Sequence, residues 1–400
     1  MNAVSTKPIE TLPELVLKPN KDKAIRNLHH WVFSGAVASL SPKTPDGGFV
    51  SVWSHGKEFL GIAYVNRRAS ILARMIAFEP VVPLEAISRS MDEAIALRKR
   101  LIDDEEISAY RLINAEGDRL PGLTVDRYND TLVVQLGTLG MDIVRDEIAG
   151  LLSTKLHPLT ILERSDSASR REEGRSNKEG LLQGEPVQQM TIRENGMLFH
   201  VDPLKGQKTG FYLDQREMRK LVRRWASGRK VLNCFAYTGG FSVAAVMGGA
   251  LRVDSVDSST SALELARENL ALNGVNPGDH GFVVDDVFRF LRESKETYGM
   301  VILDPPAFAK RKTDIISACR GYKDINRLAL EKMESGGLLL TCSCSYHVDE
   351  KLFQQVVFEA SVEAGRKARI IQHHHHAVDH PVNIHHPESH YLKSLLLYVE

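Results

Sequence analysis

Cysteine is scarce in this chain, with four in 400 residues. That is too few for a disulfide scaffold and predicts a reducing, cytoplasmic compartment. Long apolar runs are missing as well, so no segment is expected to cross a bilayer. The opening "MNAVSTKPIE" lacks the apolar core of a secretory signal. Charge of either sign is not in excess: 51 basic residues face 51 acidic ones. A nucleic-acid partner is therefore not announced globally, and any basic surface must be local. What is present is the balance of a soluble globular protein, 43% apolar and 26% charged, long enough for two or three domains.

Residues 1–12 read as a tail. Over 13–80, short β-type runs such as "LVL", "WVFSGAVASL" and "FLGIAYV" alternate with Pro and Gly turns, which predicts a small β-rich domain. The period changes at 81–105, where Ile87, Met91, Ile95, Leu97 and Leu101 fall near helical spacing. "RLPGLTVDRYNDTLVVQL" then reads as a hairpin turning at Asn129 and Asp130. Residues 164–185 are the most polar stretch and predict a mobile connection or insertion, so a central domain is bounded at 81–195.

From 196 to 400 strand and helix signals alternate, as in a parallel sheet covered by helices. Strand runs appear at "KVLNCFA", "RVDSVD", "GFVVDD", "GMVILD" and "GLLLTCSC". The helix between the second and third starts on capping serines and stops at Gly274. Ligands of such sheets lie beyond the carboxyl ends of the strands. Those ends carry Gly239 and Gly240, then Asp257, then Asp285 and Asp286, then Asp304. An acid after the second strand suits a ribose diol, because a carboxylate accepts from both hydroxyls. One after the third suits the exocyclic amine of adenine. The bland alternative for each acid alone is an exposed loop carboxylate. The first loop lacks both G-x-G-x-x-G and G-x-x-x-x-G-K-[ST], which argues against a dinucleotide and a P-loop nucleotide. S-adenosylmethionine has no phosphates to cradle and fits.

Cys342 and Cys344 end the fifth strand run. Zinc needs four ligands, usually in two spaced pairs, and no second pair exists, so no metal site is expected there. A buried thiol and a nucleophile both remain open on pattern alone. A thiolate would serve a methyltransferase acting at C5 of a pyrimidine, since addition at C6 makes C5 nucleophilic. Asp304 is the candidate to stabilise the adduct near N3.

"NCFAYTGGFSVAAVMGG", "DPPAFAK", "ACRGYKDIN", "LLLTCSCS" and "GQKTGFYLDQR", with "HHWVFSGAVASL" and "VDHPVNIHHPESHYLKS", run in an order that resembles the bacterial 23S ribosomal RNA cytosine-5 methyltransferases with an N-terminal PUA domain. The resemblance covers nearly the whole chain. It implies an α/β fold: an N-terminal β-rich PUA domain, a central α+β domain and a C-terminal Rossmann-like methyltransferase domain using S-adenosylmethionine. It implies Cys344, the cysteine of a Ser-Cys-Ser triplet, as nucleophile, with Cys342 a core residue. Asp304 matches the family's acid after the fourth strand. Phe235, Tyr237, Gly239, Asp257, Asp285 and Asp286 match its cofactor motifs. Phe211, Asp214 and Arg216 match a segment folding over the cofactor, the alternative being that Asp214 and Arg216 form a surface pair.

Large-subunit ribosomal RNA is the implied partner. Lys310, Arg311 and Lys312 follow the "DPPAF" loop and are candidate phosphate contacts. Phe308 is a candidate stacking partner for an unpaired or flipped base, or a core aromatic. The basic run 216–225 reads as a solvated helix face. Eight histidines between 373 and 390 invite adventitious metal binding, with no obligate metal expected. Oligomeric state is not legible, a homodimer being one outcome. Two rival readings stand: an RNA purine amino-group methyltransferase using the "DPPAF" loop, and a non-catalytic RNA-binding assembly factor.

Overall fold

The computed structural model describes residues 11–400. The expected tail falls mostly outside the described residues, although Leu12 is buried in an apolar core. The chain forms two compact units. The first runs to Met190 and takes in Val201–Leu213 and Val378–Ser389. The second comprises Thr191–His200, Asp214–Ala377 and His390–Glu400.

In the first unit, strands β1 (Glu14–Leu17), β2 (Trp31–Phe33), β3 (Val37–Leu40), β4 (Phe49–Trp53), β5 (Phe59–Val65) and β6 (Ile71–Ala77) form a six-stranded sheet. A second, five-stranded sheet holds β7 (Ala109–Asn114), β8 (Leu123–Tyr128), β9 (Thr131–Leu136), β10 (Thr160–Ser165) and β11 (Lys178–Gly184). Helices α1 (Lys23–Arg26), α2 (Pro83–Leu101), α3 (Leu139–Ile143), α4 (Arg145–Leu156) and α5 (Ala168–Glu172) surround them. Helix α2 forms where the spacing places it, with Pro83 in its first turn and Ile87, Met91 and Ile95 buried. One apolar cluster joins these α2 residues to Phe49 and Tyr64 of the first sheet and Leu123 and Leu136 of the second. The hairpin turn sits at Asn129, with φ 53°.

The polar stretch 164–185 corrects its reading as a mobile connection. It supplies α5 and β11, which pairs antiparallel with β10. Part of its charge is buried and paired, while Arg171, Glu172, Arg175, Lys178, Glu179 and Glu185 stay exposed: Arg170 donates to Asp142 at 3.0 Å, and Glu173 accepts from Asn66 at 2.6 Å and pairs with Arg74. Buried charges persist only with such partners, and composition does not reveal partners supplied by distant segments.

The second unit begins with a hairpin, β12 (Met190–Glu194) and β13 (Met197–Val201), which straddles the boundary expected at 195/196. Strands β14 (Lys230–Cys234), β15 (Arg252–Asp257), β16 (Gly281–Val284), β17 (Tyr298–Leu303), β18 (Met333–Ser343), β19 (Ala368–His374) and β20 (Lys393–Val399) then make one sheet, ordered β16-β15-β14-β17-β18-β20-β19. The five expected strands are parallel, while β20 enters antiparallel beside β18. Helices α6 (Arg216–Trp225), α7 (Gly240–Met247), α8 (Thr260–Leu272), α9 (Val287–Glu293), α10 (Ile315–Glu331) and α11 (Glu350–Glu363) connect or flank the strands. Helix α8 starts as the sequence indicates, the Ser259 hydroxyl accepting from Ala262 N.

Helix α6 is a solvated face only in part, through Lys220 and Arg224, which are exposed. Arg219 is buried and forks onto Glu194 at 2.6 and 2.7 Å, and Arg223 donates to the Asn195 carbonyl. Glu194→Ala would leave Arg219 buried without its carboxylate, at about 3–5 kcal/mol. The expected outcome is a clear drop in the urea midpoint of the full chain.

Candidate active site

Strand order reverses around β14, which has β15 on one side and β17 on the other. Loops leaving the carboxyl ends of these strands therefore meet above it. The loop after β14 is bent hard. Phe235 and Tyr237 both hold left-handed backbone, φ 58° and 47°, and Gly239 follows at φ 77°. A side chain on Gly239 would meet Ala266 Cβ at 2.8 Å. Each non-glycine residue in that region costs on the order of 1 kcal/mol or more, and such strain gathers at functional sites.

The strain is held by the neighbouring strand end. Asp257 accepts from Tyr237 N at 2.8 Å with one oxygen and from Ser259 N at 2.9 Å with the other. A carboxylate has about four acceptor positions, so two remain for hydroxyls. Asp285 N donates to the Asp257 carbonyl at 3.1 Å and ties the third strand end to the second. Asp285 accepts from Arg289 Nε at 2.6 Å, which lowers its carboxyl below the ordinary range. Asp286 is exposed and caps α9, accepting from Arg289 N at 3.0 Å. This donor and acceptor set fits a nucleoside: a rigid strained loop, a carboxylate with spare acceptor capacity, and acids at the next strand end.

Asp304, half-buried at the end of β17, accepts from Gln215 Nε2 at 2.8 Å. Gln215 lies inside "KTGFYLDQR" between two charged residues, Asp214 and Arg216, and has no sequence signature of its own. Those two are not a surface pair. Asp214 and Arg216 are buried, and Asp214 accepts from Tyr391 Oη at 2.5 Å while its carbonyl accepts from Ala377 N. Phe211 is buried too, but in the Val201–Leu213 segment of the first unit.

None of the four thiols is in a disulfide. Cys342 is fully buried; desolvation, and then the Asp304 charge, push its pKa well up. Cys234 is likewise raised by burial. Cys344 differs. It stands one residue beyond β18, half-buried, with Sγ 3.7 Å from the Pro305 carbonyl oxygen. The thiol thus faces the loop that opens with Asp304.

Ser345 fixes that position. Its Oγ accepts from Ala309 N at 3.1 Å and lies 2.8 Å from Tyr322 Oη. Its carbonyl accepts from Lys393 Nζ at 2.6 Å. Lys393 lies on β20, opposite Ser343 in register, and is nearly inaccessible. Burial lowers its pKa to about 8, against an opposing pull from Cys344. A lysine inside the apolar run "YLKSLLLYV" was the available sequence signal.

Phe308 packs on Tyr322, ring centroids 4.6 Å apart, and against Phe288. Those contacts are those of a core aromatic. Lys310, Arg311 and Lys312 are exposed just beyond it.

Residues 166–375 match a family model for S-adenosylmethionine-dependent methyltransferases, and residues 15–78 match one for a PUA-like domain. The chain is 40% identical over 387 residues to "Ribosomal RNA large subunit methyltransferase I" of Shewanella denitrificans, covering 95% of this chain and 98% of that protein. The protein of the same name from Escherichia coli is 40% identical over 385 residues, covering 95% and 97%. Among solved structures, a methyltransferase complexed with SAH superposes with a TM-score of 0.83 at 26% identity, over 96% of this chain and 99% of that one. A SAM-dependent methyltransferase from Streptococcus mutans matches with the same values.

Burial predicts an order of thiol reactivity. Under native conditions iodoacetamide should reach the half-buried Cys344 and Cys319, and Cys234 and Cys342 only after unfolding, as read by peptide mass spectrometry.

Proposed function

The chain belongs to the ribosomal RNA large subunit methyltransferase I family, and from that premise we propose that it methylates C5 of a cytosine in large-subunit ribosomal RNA, with Cys344 as covalent nucleophile. It is an S-adenosylmethionine-dependent enzyme. The residues that would hold the cofactor are the Phe235–Gly239 loop, Asp257 at the ribose, and Asp285 with Asp286 toward the base. When bound, the cofactor supplies an electrophilic methyl carbon on a sulfonium.

The observation that carries the reading is the half-buried Cys344 Sγ, 3.7 Å from the carbonyl that follows Asp304. In the proposed sequence the thiolate adds to C6 of the ring, and the C5–C6 π pair moves onto C5 and the conjugated N3 side. Asp304, oriented by Gln215, donates or shares a proton at N3 and offsets that charge. Once C5 carries the methyl group, loss of its proton drives the electron pair back to re-form the C5–C6 bond and expel the thiolate. Lys393 is a positioning residue here: its ammonium holds the Ser345 carbonyl and favours the thiolate next door. Lys310, Arg311 and Lys312 meet phosphates of an unpaired or flipped target strand.

Four outcomes follow. With large-subunit RNA from cells lacking this chain, the enzyme should produce 5-methylcytosine on nucleoside mass spectrometry. Cys344→Ser should abolish the product while leaving cofactor affinity within about twofold; a methylated purine amino group formed equally by Cys344→Ser would sink the proposal. For Lys393, the ammonium persists below about pH 8 and is lost above it. Lys393→Met should therefore slow Cys344 alkylation below pH 8, Lys393→Arg should preserve it, and the difference should shrink as pH rises through that value. Replacing Lys310, Arg311 and Lys312 together by Ala should weaken RNA binding and reduce the slope of log K on log salt by about 2.

A further inference from the structure

The segment Val378–Ser389 belongs to the first unit, although the residues on either side of it in sequence belong to the second. Asp379 anchors it: its carbonyl accepts from Arg98 Nη2 at 2.8 Å and its carboxylate from Arg111 N at 2.8 Å. The Pro381 carbonyl accepts from Asn114 Nδ2 at 3.0 Å. This anchoring carries His386 and Glu388 against His29, just ahead of β2.

His29 Nε2 lies 3.2 Å from Glu388 Oε1, and His386 Nδ1 lies 3.7 Å from Glu388 Oε2. One ligand atom from each of the three residues lies within 4.8 Å of the other two. His386 is 1% exposed, and its Nδ1 has no hydrogen-bond partner among the described residues. Glu388 Oε2 has none either. Two buried polar atoms aimed at one space and left unspent are uncommon, because each forfeits its hydration on folding. The Trp31 ring, 4.5 Å from that of His386, walls the space on one side.

We propose that His29, His386 and Glu388 bind a divalent first-row transition ion, zinc being the one this donor set favours. Two imidazole nitrogens and one carboxylate make a three-ligand shell with a fourth position open to water. Binding has an internal cost. His29 Nδ1 accepts from Trp31 N at 3.1 Å, so its proton sits on Nε2. The ion takes the place of that proton, which moves to Nδ1, and the Trp31 amide gives up its acceptor. In return the ion pins a loop to a strand 359 residues away in sequence, so its occupancy should stabilise the chain. The cluster is separate from the run His373–His376, which lies in the second unit.

The test is calorimetric titration of the full-length, chelator-treated chain with zinc chloride, paired with thermal unfolding. Wild type should bind one tight equivalent and unfold at higher temperature with zinc. His29→Ala and Glu388→Gln alter partly exposed side chains that the fold tolerates; each should weaken that equivalent at least tenfold and remove the thermal shift. The double variant His373→Gln/His375→Gln should keep both. The proposal is overturned if wild type takes up no tight equivalent, if His29→Ala and Glu388→Gln bind like wild type, or if the double variant alone abolishes binding.

Discussion

The account rests on the polar tie at Ser345. A free strand end carrying a cysteine would sample many positions, since each unfixed backbone residue retains about 1–2 kcal/mol of conformational entropy. Ser345 removes that freedom by engaging the "DPPAFA" loop through Ala309 N, α10 through Tyr322 and β20 through Lys393. The three contacts come from elements that meet only when the seven-stranded sheet of the second unit is assembled. Cys344 is thereby held against Pro305, the residue after Asp304. The proposed nucleophile and the proposed acid thus stand at the ends of adjacent strands.

The same logic governs the other half of the crevice. The loop after β14 carries two left-handed non-glycine residues, a conformation that would relax if nothing opposed it. Asp257 opposes it from the next strand by taking the Tyr237 amide, and Asn269 of α8 adds a bond to the Thr238 carbonyl. The parallel sheet is what makes these ties possible, because it brings the carboxyl ends of consecutive strands to one edge. Rigid strand ends supply the positions, and the loops between them supply the chemistry.

Much of this was legible in the sequence because the relevant signals are local. Apolar runs closed by Asp257, Asp286 or Asp304 mark strands whose ends are polar. Ser259 and Gly274 bracket a helix by capping chemistry. The family resemblance, through its Ser-Cys-Ser triplet, pointed to Cys344 as nucleophile and to Cys342 as core; Cys342 is fully buried. What was misread depends on partners distant in the chain. Arg170 and Glu173 in the stretch 164–185 looked solvated because their partners, Asp142 for the first and Asn66 and Arg74 for the second, lie elsewhere. Arg219 looked like surface because Glu194 stands 25 residues earlier. Gln215 carries no signature of its own, and Lys393 only that of a charge inside an apolar run; each matters through one hydrogen bond to a loop that sequence spacing does not bring near. His29 and the loop holding His386 are at opposite ends of the chain, so no spacing rule joins them.

The central claim is that Cys344 attacks C6 of a cytosine, and the most direct measurement traps the adduct. Large-subunit RNA carrying 5-fluorocytosine, incubated with enzyme and S-adenosylmethionine, cannot lose fluorine as it would lose the C5 proton. The account predicts a denaturation-resistant protein–RNA complex whose digested peptide carries the methylated fluoropyrimidine on Cys344. Turnover on ordinary RNA with no such complex, or a complex attached to any other residue, would contradict it.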